Sequence, residues 1–381
     1  MNDASGQTPS PSESIRVAYV PRQGLLRLCV VNFLLGLMTL SIYRFWAKTN
    51  VRRHIWSCVH INGHPLEYTG RGSELLKGAL IVFLILGLPI IGLLTVLTLA
   101  YGPEHPSIAA VQMLVFLLVA LLWGAAVYRA RRYQLSRTLW RGIRGALVGS
   151  ATIYSLTYFG AMLARGASLG WSTPVMNFNL QQQMTGDMRF GDRPFMFQGR
   201  VAPLYPAYAL CWALTLAAGI AALVIITLLF GGVLYDSLSS TFGPILVGDT
   251  GYDEQWGRSL AAPVIFVVFL YLFIAIAYPA IWSLYSAREL ALFANYTSFG
   301  SARFNLDATA PSLIGLSIGN MLIMLLTLGI GAPFVQQRLV RYLCDRMTIE
   351  GKVEIDSIRQ STAAVASTGE GLADAFDIGG M

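Results

Sequence analysis

The feature that most narrows the possible folds of this chain is a set of long apolar runs. Residues 79–100 (ALIVFLILGLPIIGLLTVLTLA) and 261–282 (AAPVIFVVFLYLFIAIAYPAIW) contain no charged side chain. Runs of about 18 or more apolar residues are what a bilayer core demands. They are too long for barrel strands, and backbone amides in lipid must be satisfied within the segment, so helices follow. Composition agrees: charged residues make up only 12% of the chain, against about 25% in soluble domains.

Seven apolar stretches stand out, at roughly 24–45, 78–100, 106–128, 150–175, 206–235, 258–284 and 311–335. The second, third, fifth and sixth read as firm spans. The first, fourth and seventh are shorter or broken by glycine and polar residues. These three also repeat one another. Aligned on their asparagines, Asn32-x6-Thr39-Leu40-Ser41-Ile42 matches Asn320-x6-Thr327-Leu328-Gly329-Ile330, and Ser168-Leu169-Gly170-Trp171 joins in the same register. Phe45 then aligns with Pro174 and Pro333. A basic amphipathic helix follows the first copy (KTNVRRHIWSCVH), and short elements of alternating apolar residues follow in turn: NGHPLEYTG, FGDRPFMFQG, FGSARFNLD and IEGKVEID. Alternation of this kind predicts β-hairpins with one buried face.

The expected fold class is therefore an all-α integral membrane protein: a polytopic helical bundle with internal repeats, re-entrant segments and small cytoplasmic β-hairpins. Its divisions are a disordered tail (1–15), a first repeat half (16–149), a second (150–310), a C-terminal partial repeat (311–360) and a second disordered tail (361–381). Charge distribution bears on topology, because Lys and Arg concentrate in cytoplasmic loops. If all seven segments cross, the acidic stretch 236–257 becomes cytoplasmic and the basic elements fall on both sides. If 24–45, 150–175 and 311–335 dip in and return, every Lys and Arg except Arg165 and Arg258 lies on one face with both termini. The second arrangement is preferred, with both termini cytoplasmic; a third lays the three segments in the interface.

The TLSIYRFWAK stretch with its following Arg-Arg, the LSRTLWRGIRG element and the GDRPFMFQG hairpin resemble the YjgN family of bacterial inner-membrane proteins, over about residues 17–361. Phe45 stands where that family's pattern has proline. The resemblance implies a multi-pass inner-membrane protein and, as a partner, a membrane metallopeptidase. It implies no activity and no catalytic residues.

Within the apolar stretches Arg165 is the principal functional candidate, since arginine at membrane depth costs about 2.5–3.5 kcal/mol on insertion scales and faces a cavity, a partner or a lipid phosphate. Asn32 and Asn320 occupy equivalent repeat positions suited to hydrogen bonds between segments. Arg129, Arg131, Arg132, Arg137, Arg141 and Arg144 with Trp140 form a juxtamembrane basic-aromatic cluster, fitted to anionic phospholipid headgroups rather than nucleic acid. His60 and His64 have the i, i+4 spacing of a metal pair, but Asn62, Gly63 and Pro65 break the helix it requires. The four cysteines lie in separate segments without CxxC spacing, and no nucleophile, phosphate-loop or dinucleotide pattern is present. Neither metal, cofactor nor enzyme is expected. Two function classes remain: a transporter, channel or lipid-handling protein, and a membrane scaffold whose hairpins recruit a partner.

Overall fold

The computed structural model describes residues 13–247 and 277–361. Along the chain run helices α1 (Leu25–Met38), α2 (Arg44–Trp56), α3 (Gly72–Val82), a π-helical turn (Phe83–Gly87), α4 (Leu88–Tyr101), α5 (Pro106–Arg137), α6 (Ala151–Ala167), α7 (Thr173–Asp187), α8 (Tyr205–Val247), α9 (Tyr278–Tyr296), α10 (Ala310–Leu326) and α11 (Ala332–Arg346). Between them lie thirteen short strands: β1 (Glu13–Ser14), β2 (Val17–Tyr19), β3 (Val59–Ile61), β4 (His64–Pro65), β5 (Glu67–Tyr68), β6 (Thr138–Trp140), β7 (Ile143–Leu147), β8 (Met188–Phe190), β9 (Arg193–Phe197), β10 (Thr297–Phe299), β11 (Ala302–Leu306), β12 (Met347–Glu350) and β13 (Lys352–Val353).

Three helices among the described residues are long and apolar enough to cross a membrane: Gly72–Tyr101, Pro106–Arg137 and Ala202–Val224. Most of the expected segment 258–284 lies outside the described residues, and α8 continues through part of the expected acidic loop to Val247.

The expectation of an all-α polytopic bundle with separate hairpins is corrected by the strands. β5 to β12 join into one eight-stranded antiparallel sheet, in the order β12-β11-β10-β9-β8-β7-β6-β5, and β2-β3-β4 form a second sheet of three. The physical reason is the edge. A lone two-stranded hairpin is marginal in water and presents unpaired N–H and C=O groups on both sides. Here each hairpin's outer strand pairs with its neighbour's: β7 with β8 (Gly145↔Phe190), β9 with β10 (Phe195↔Phe299) and β11 with β12 (Phe304↔Ile349). The hairpin turns carry the residues such turns require. Asn62-Gly63 and Arg141-Gly142 both adopt positive φ (48° and 79°; 50° and 78°), the type I′ geometry whose twist matches the flanking strands.

The three repeated segments share one local structure. Each is two helices flanking a five-residue break, at 39–43, 168–172 and 327–331. Two successive residues at each break take the left-handed conformation: Leu40 and Ser41, Leu169 and Gly170, Leu328 and Gly329. The same bonds close each break. The backbone N–H of Ser41, Gly170 or Gly329 reaches five residues back, to Gly36, Arg165 or Met324. The hydroxyl of Thr39, Ser168 or Thr327 accepts from the N–H four residues on, at Tyr43, Ser172 or Gly331. Helix dipoles and caps alone leave orphan groups at such a break; the Ser/Thr hydroxyl satisfies one of them. The leucine at each tip is almost fully exposed, at 89%, 82% and 91% for Leu40, Leu169 and Leu328.

By contacts the chain divides into two units: Met1–Val201 with Ala291–Asp307 and Ile323–Met381, and Ala202–Leu290 with Ala308–Leu322. The first holds all three breaks and all the strands. In the second, Tyr208 packs edge-on against Trp282 and Tyr285 at 5.4 and 5.2 Å, and the Cys211 thiol donates to the carbonyl of Ile281.

Candidate functional site: an apolar chamber walled by strands

Alternation along the strands of the first unit sorts their side chains onto two faces. Arg189, Arg303, Glu350 and Lys352 point outward and are exposed. So many charges on one face place the sheet outside a hydrocarbon layer. The opposite face carries Trp140, Phe190, Phe195, Phe299, Phe304 and Ile349. These rings pack on one another: Phe195 lies 4.8 Å from Phe299 and 6.2 Å from Phe304, and Trp140 lies 5.7 Å from Phe190. The two sheets curl toward each other. Leu66 alone separates β4 from β5, and at the other end β2 approaches β12. Helix α11 packs across β2, where the Gln337 amide donates to the Tyr19 hydroxyl at 2.7 Å.

The space between the two sheets is a partly open cavity of about 380 Å³, within the range of small-molecule sites. Val17, Ile61, Leu66, Leu343 and Met347 add to the aromatic wall, and Thr138 and Arg189 are the only polar residues among its lining. Burial pushes the Cys344 thiol, which lines the cavity, up to about 11, so at neutral pH it is an apolar wall group and not a thiolate. Burial likewise raises the Tyr19 hydroxyl to about 12. One end is closed by the C-terminal segment. Ile355 and Ile358 are buried against the aromatic cluster, and the backbone of Arg359 exchanges two hydrogen bonds with Asp192 (2.9 and 3.1 Å). The Arg144 N–H donates to the Gln360 side chain and Arg193 to Ser357. Gly191, at φ +60°, is obligatory there, since a Cβ would fall 2.3 Å from the Arg359 carbonyl.

The residues singled out in the sequence lie as follows. Trp140 is buried in the chamber wall, its indole N–H donating to Ile61 at 3.2 Å. Arg132 is turned inward: it caps the carbonyls of Leu147 and Gly149 and lies 5.1 Å from the Tyr128 ring. Arg137 pairs with Glu74 at 2.9 Å, and the Tyr133 hydroxyl donates to the same carboxylate at 2.6 Å. Arg144 is half-buried on β7, and Arg129, Arg131 and Arg141 are exposed. The cluster is thus divided between internal brackets and surface. Arg165 donates to Asn177 across the break between α6 and α7, while its Nε makes no hydrogen bond among the described residues. Asn32 Nδ2 and Asn320 Oδ1 are each buried without a hydrogen bond among the described residues. Among the described residues no cluster of His, Cys, Asp and Glu could hold a metal ion.

Sequence reasoning missed Glu74 and Asn177. Glu74 carries a readable signal, a carboxylate in the first turn of the first long span. Asn177 carries none, because its partner is twelve positions away across a break.

Long apolar helices bearing a charged strand array define a membrane protein. The chain belongs to the family described as bacterial protein of unknown function (DUF898), which it matches over residues 21–375. It is similar to the inner membrane protein YjgN of Salmonella typhimurium, with 33% identity over 116 residues, 30% of this chain and 27% of that one. It is similar also to the inner membrane protein YjgN of Escherichia coli O157:H7, with 33% identity over 118 residues, 31% and 27% of the two chains. The aligned stretch thus spans about a quarter of each relative's length. No solved structure matches.

Proposed function

We propose that this is a lipid-handling protein of the bacterial inner membrane, which receives an acyl chain or a molecule of similar apolarity in its strand-walled chamber. The observation that carries the reading is the chamber: about 380 Å³, walled by five aromatic rings and aliphatic side chains, in a part of the chain whose outer surface is charged. Packed interiors have few voids larger than a water molecule, and empty apolar cavities take up apolar guests. The concentration of basic residues on the elements that bear the strands fits a cytoplasmic location for the chamber, next to the leaflet from which such a guest would come.

The test is binding of an environment-sensitive fatty acid probe to the purified full chain in detergent micelles. Ile349→Trp fills the chamber and is expected to weaken binding about tenfold, the loss of roughly 1.4 kcal/mol of apolar contact, with an unchanged unfolding midpoint. A wild-type protein that binds no probe, or a variant that binds as wild type, would falsify the proposal.

A further inference from the structure

A second cavity lies away from the strands, on the flank of the first two long helices. It is a groove of about 440 Å³ lined by Phe45, Leu76, Leu80, Phe83, Leu86 and Ile90 on one side and Leu118, Val119 and Leu122 of α5 on the other. Its one charged lining residue is Arg44. From Leu76 to Ile90 the groove follows the helix for about 21 Å at 1.5 Å per residue, longer than one leaflet of a hydrocarbon core about 30 Å thick. The π-helical turn Phe83–Gly87 opens the wall midway, and such turns recur at functional sites.

Arg44 is placed in a way that internal structure leaves uncompensated. It is the first residue of α2, where the helix dipole is already positive, and no acidic residue occupies the first turn. A cation there is disfavoured, and an anion favoured. The guanidinium is exposed, lies 5.0 Å from the Phe45 ring, and forms no ion pair among the described residues. Phe45, in turn, is fixed by packing on Leu75 and Tyr133, so the arginine stands at a rigid corner of the groove.

We infer that this groove is a specific site for one anionic glycerophospholipid, with an acyl chain along Leu80–Ile90 and the phosphate on Arg44. Apart from the Arg44–Phe45 corner, the walls belong to helices long and apolar enough to span, so the groove opens to lipid. A positive corner at the end of an otherwise apolar slot matches a phospholipid and no free anion. The site is separate from the strand-walled chamber, though α5 borders both: Leu122 and Leu135 are about 20 Å apart along it.

The test is native mass spectrometry of the full chain released from micelles doped with phosphatidylglycerol or phosphatidylethanolamine. Wild type should retain one phospholipid, with phosphatidylglycerol preferred. Arg44→Gln should lower phosphatidylglycerol retention about fivefold, the worth of one base at an anionic surface. Arg44→Lys should keep part of the preference, and Ala79→Trp, which fills the groove, should abolish retention of either lipid. Arg129→Gln, an exposed base elsewhere, should change nothing. Retention by Arg44→Gln equal to wild type, retention surviving Ala79→Trp, or displacement of the lipid by inorganic phosphate would each overturn the inference. Fatty acid binding in the chamber is unaffected by these variants, so the two sites fail or stand independently.

Discussion

Replacing Glu74 with Gln removes a carboxylate on which the base of the first span depends. In the native protein its two oxygens accept from Tyr133 at 2.6 Å and from Arg137 at 2.9 Å. The two ion-pair side chains retain only 22% and 18% of their exposure. Three losses follow. The Tyr133 bond becomes neutral rather than charge-assisted, at about 1 kcal/mol. Arg137 is left half-buried with no counterion and an Nε that already lacks a partner; stranding a buried charge costs about 3–5 kcal/mol, and the remaining exposure brings that to about 2. The first turn of α3 also loses a negative charge, worth about 0.5 kcal/mol. The expected destabilisation is about 3.5 kcal/mol, measured by titrating the protein from lipid-like micelles into a denaturing detergent. Arg137→Met strands the Glu74 carboxylate instead, with only the Tyr133 hydroxyl left to it, and should cost about as much as Glu74→Gln. The double variant should then recover about 1–2 kcal/mol relative to additivity. Glu74→Gln within about 0.5 kcal/mol of wild type, or strictly additive changes, would show that solvent screens this pair completely.

Two further outcomes follow from the same reasoning. Burial, reinforced by the charge of Arg22, lowers the His54 pKa below 6.5; the unfolded chain therefore binds the proton more tightly, so stability is complete above pH ~6.5 and falls as pH drops through that value. Comparing unfolding at pH 7.5 and 5.5 checks this, and His54→Gln should remove that part of the slope. At the second break, Asn177→Leu strands the Arg165 guanidinium and should cost about 1–3 kcal/mol, whereas adding Arg165→Met should restore most of it; a double variant as unstable as Asn177→Leu alone would show that the loss is not the stranded cation.

The repeats were legible in the sequence because the breaks depend on local chemistry. A left-handed pair needs Gly or a tolerated substitute, and a Ser/Thr hydroxyl must precede it, so Thr39, Ser168 and Thr327 align by eye. The hairpins were legible for the same reason, through Asn62-Gly63 and the alternation of Phe195 with Phe197 and Phe304 with Leu306. Their union was not. β7 and β8 are separated by two helices, and a strand edge carries no residue pattern that names its partner. Trp140 shows the consequence: beside six arginines it reads as an interface aromatic, and only the pairing of β6 with β7 and β5 turns it into a wall. The chamber, for the same reason, could not be seen before the sheet.

Strand order in the large sheet is also the order of synthesis, β5 first and β12 last. Each hairpin in turn meets an edge left by the one before, with helices intervening in the chain between additions. The sheet thus lengthens along the chain repeat by repeat. It can close only when β12 and the Ile355–Ile358 segment emerge. A chain truncated before Ile355 would keep its long apolar helices and still lack the residues that cover one end of the chamber.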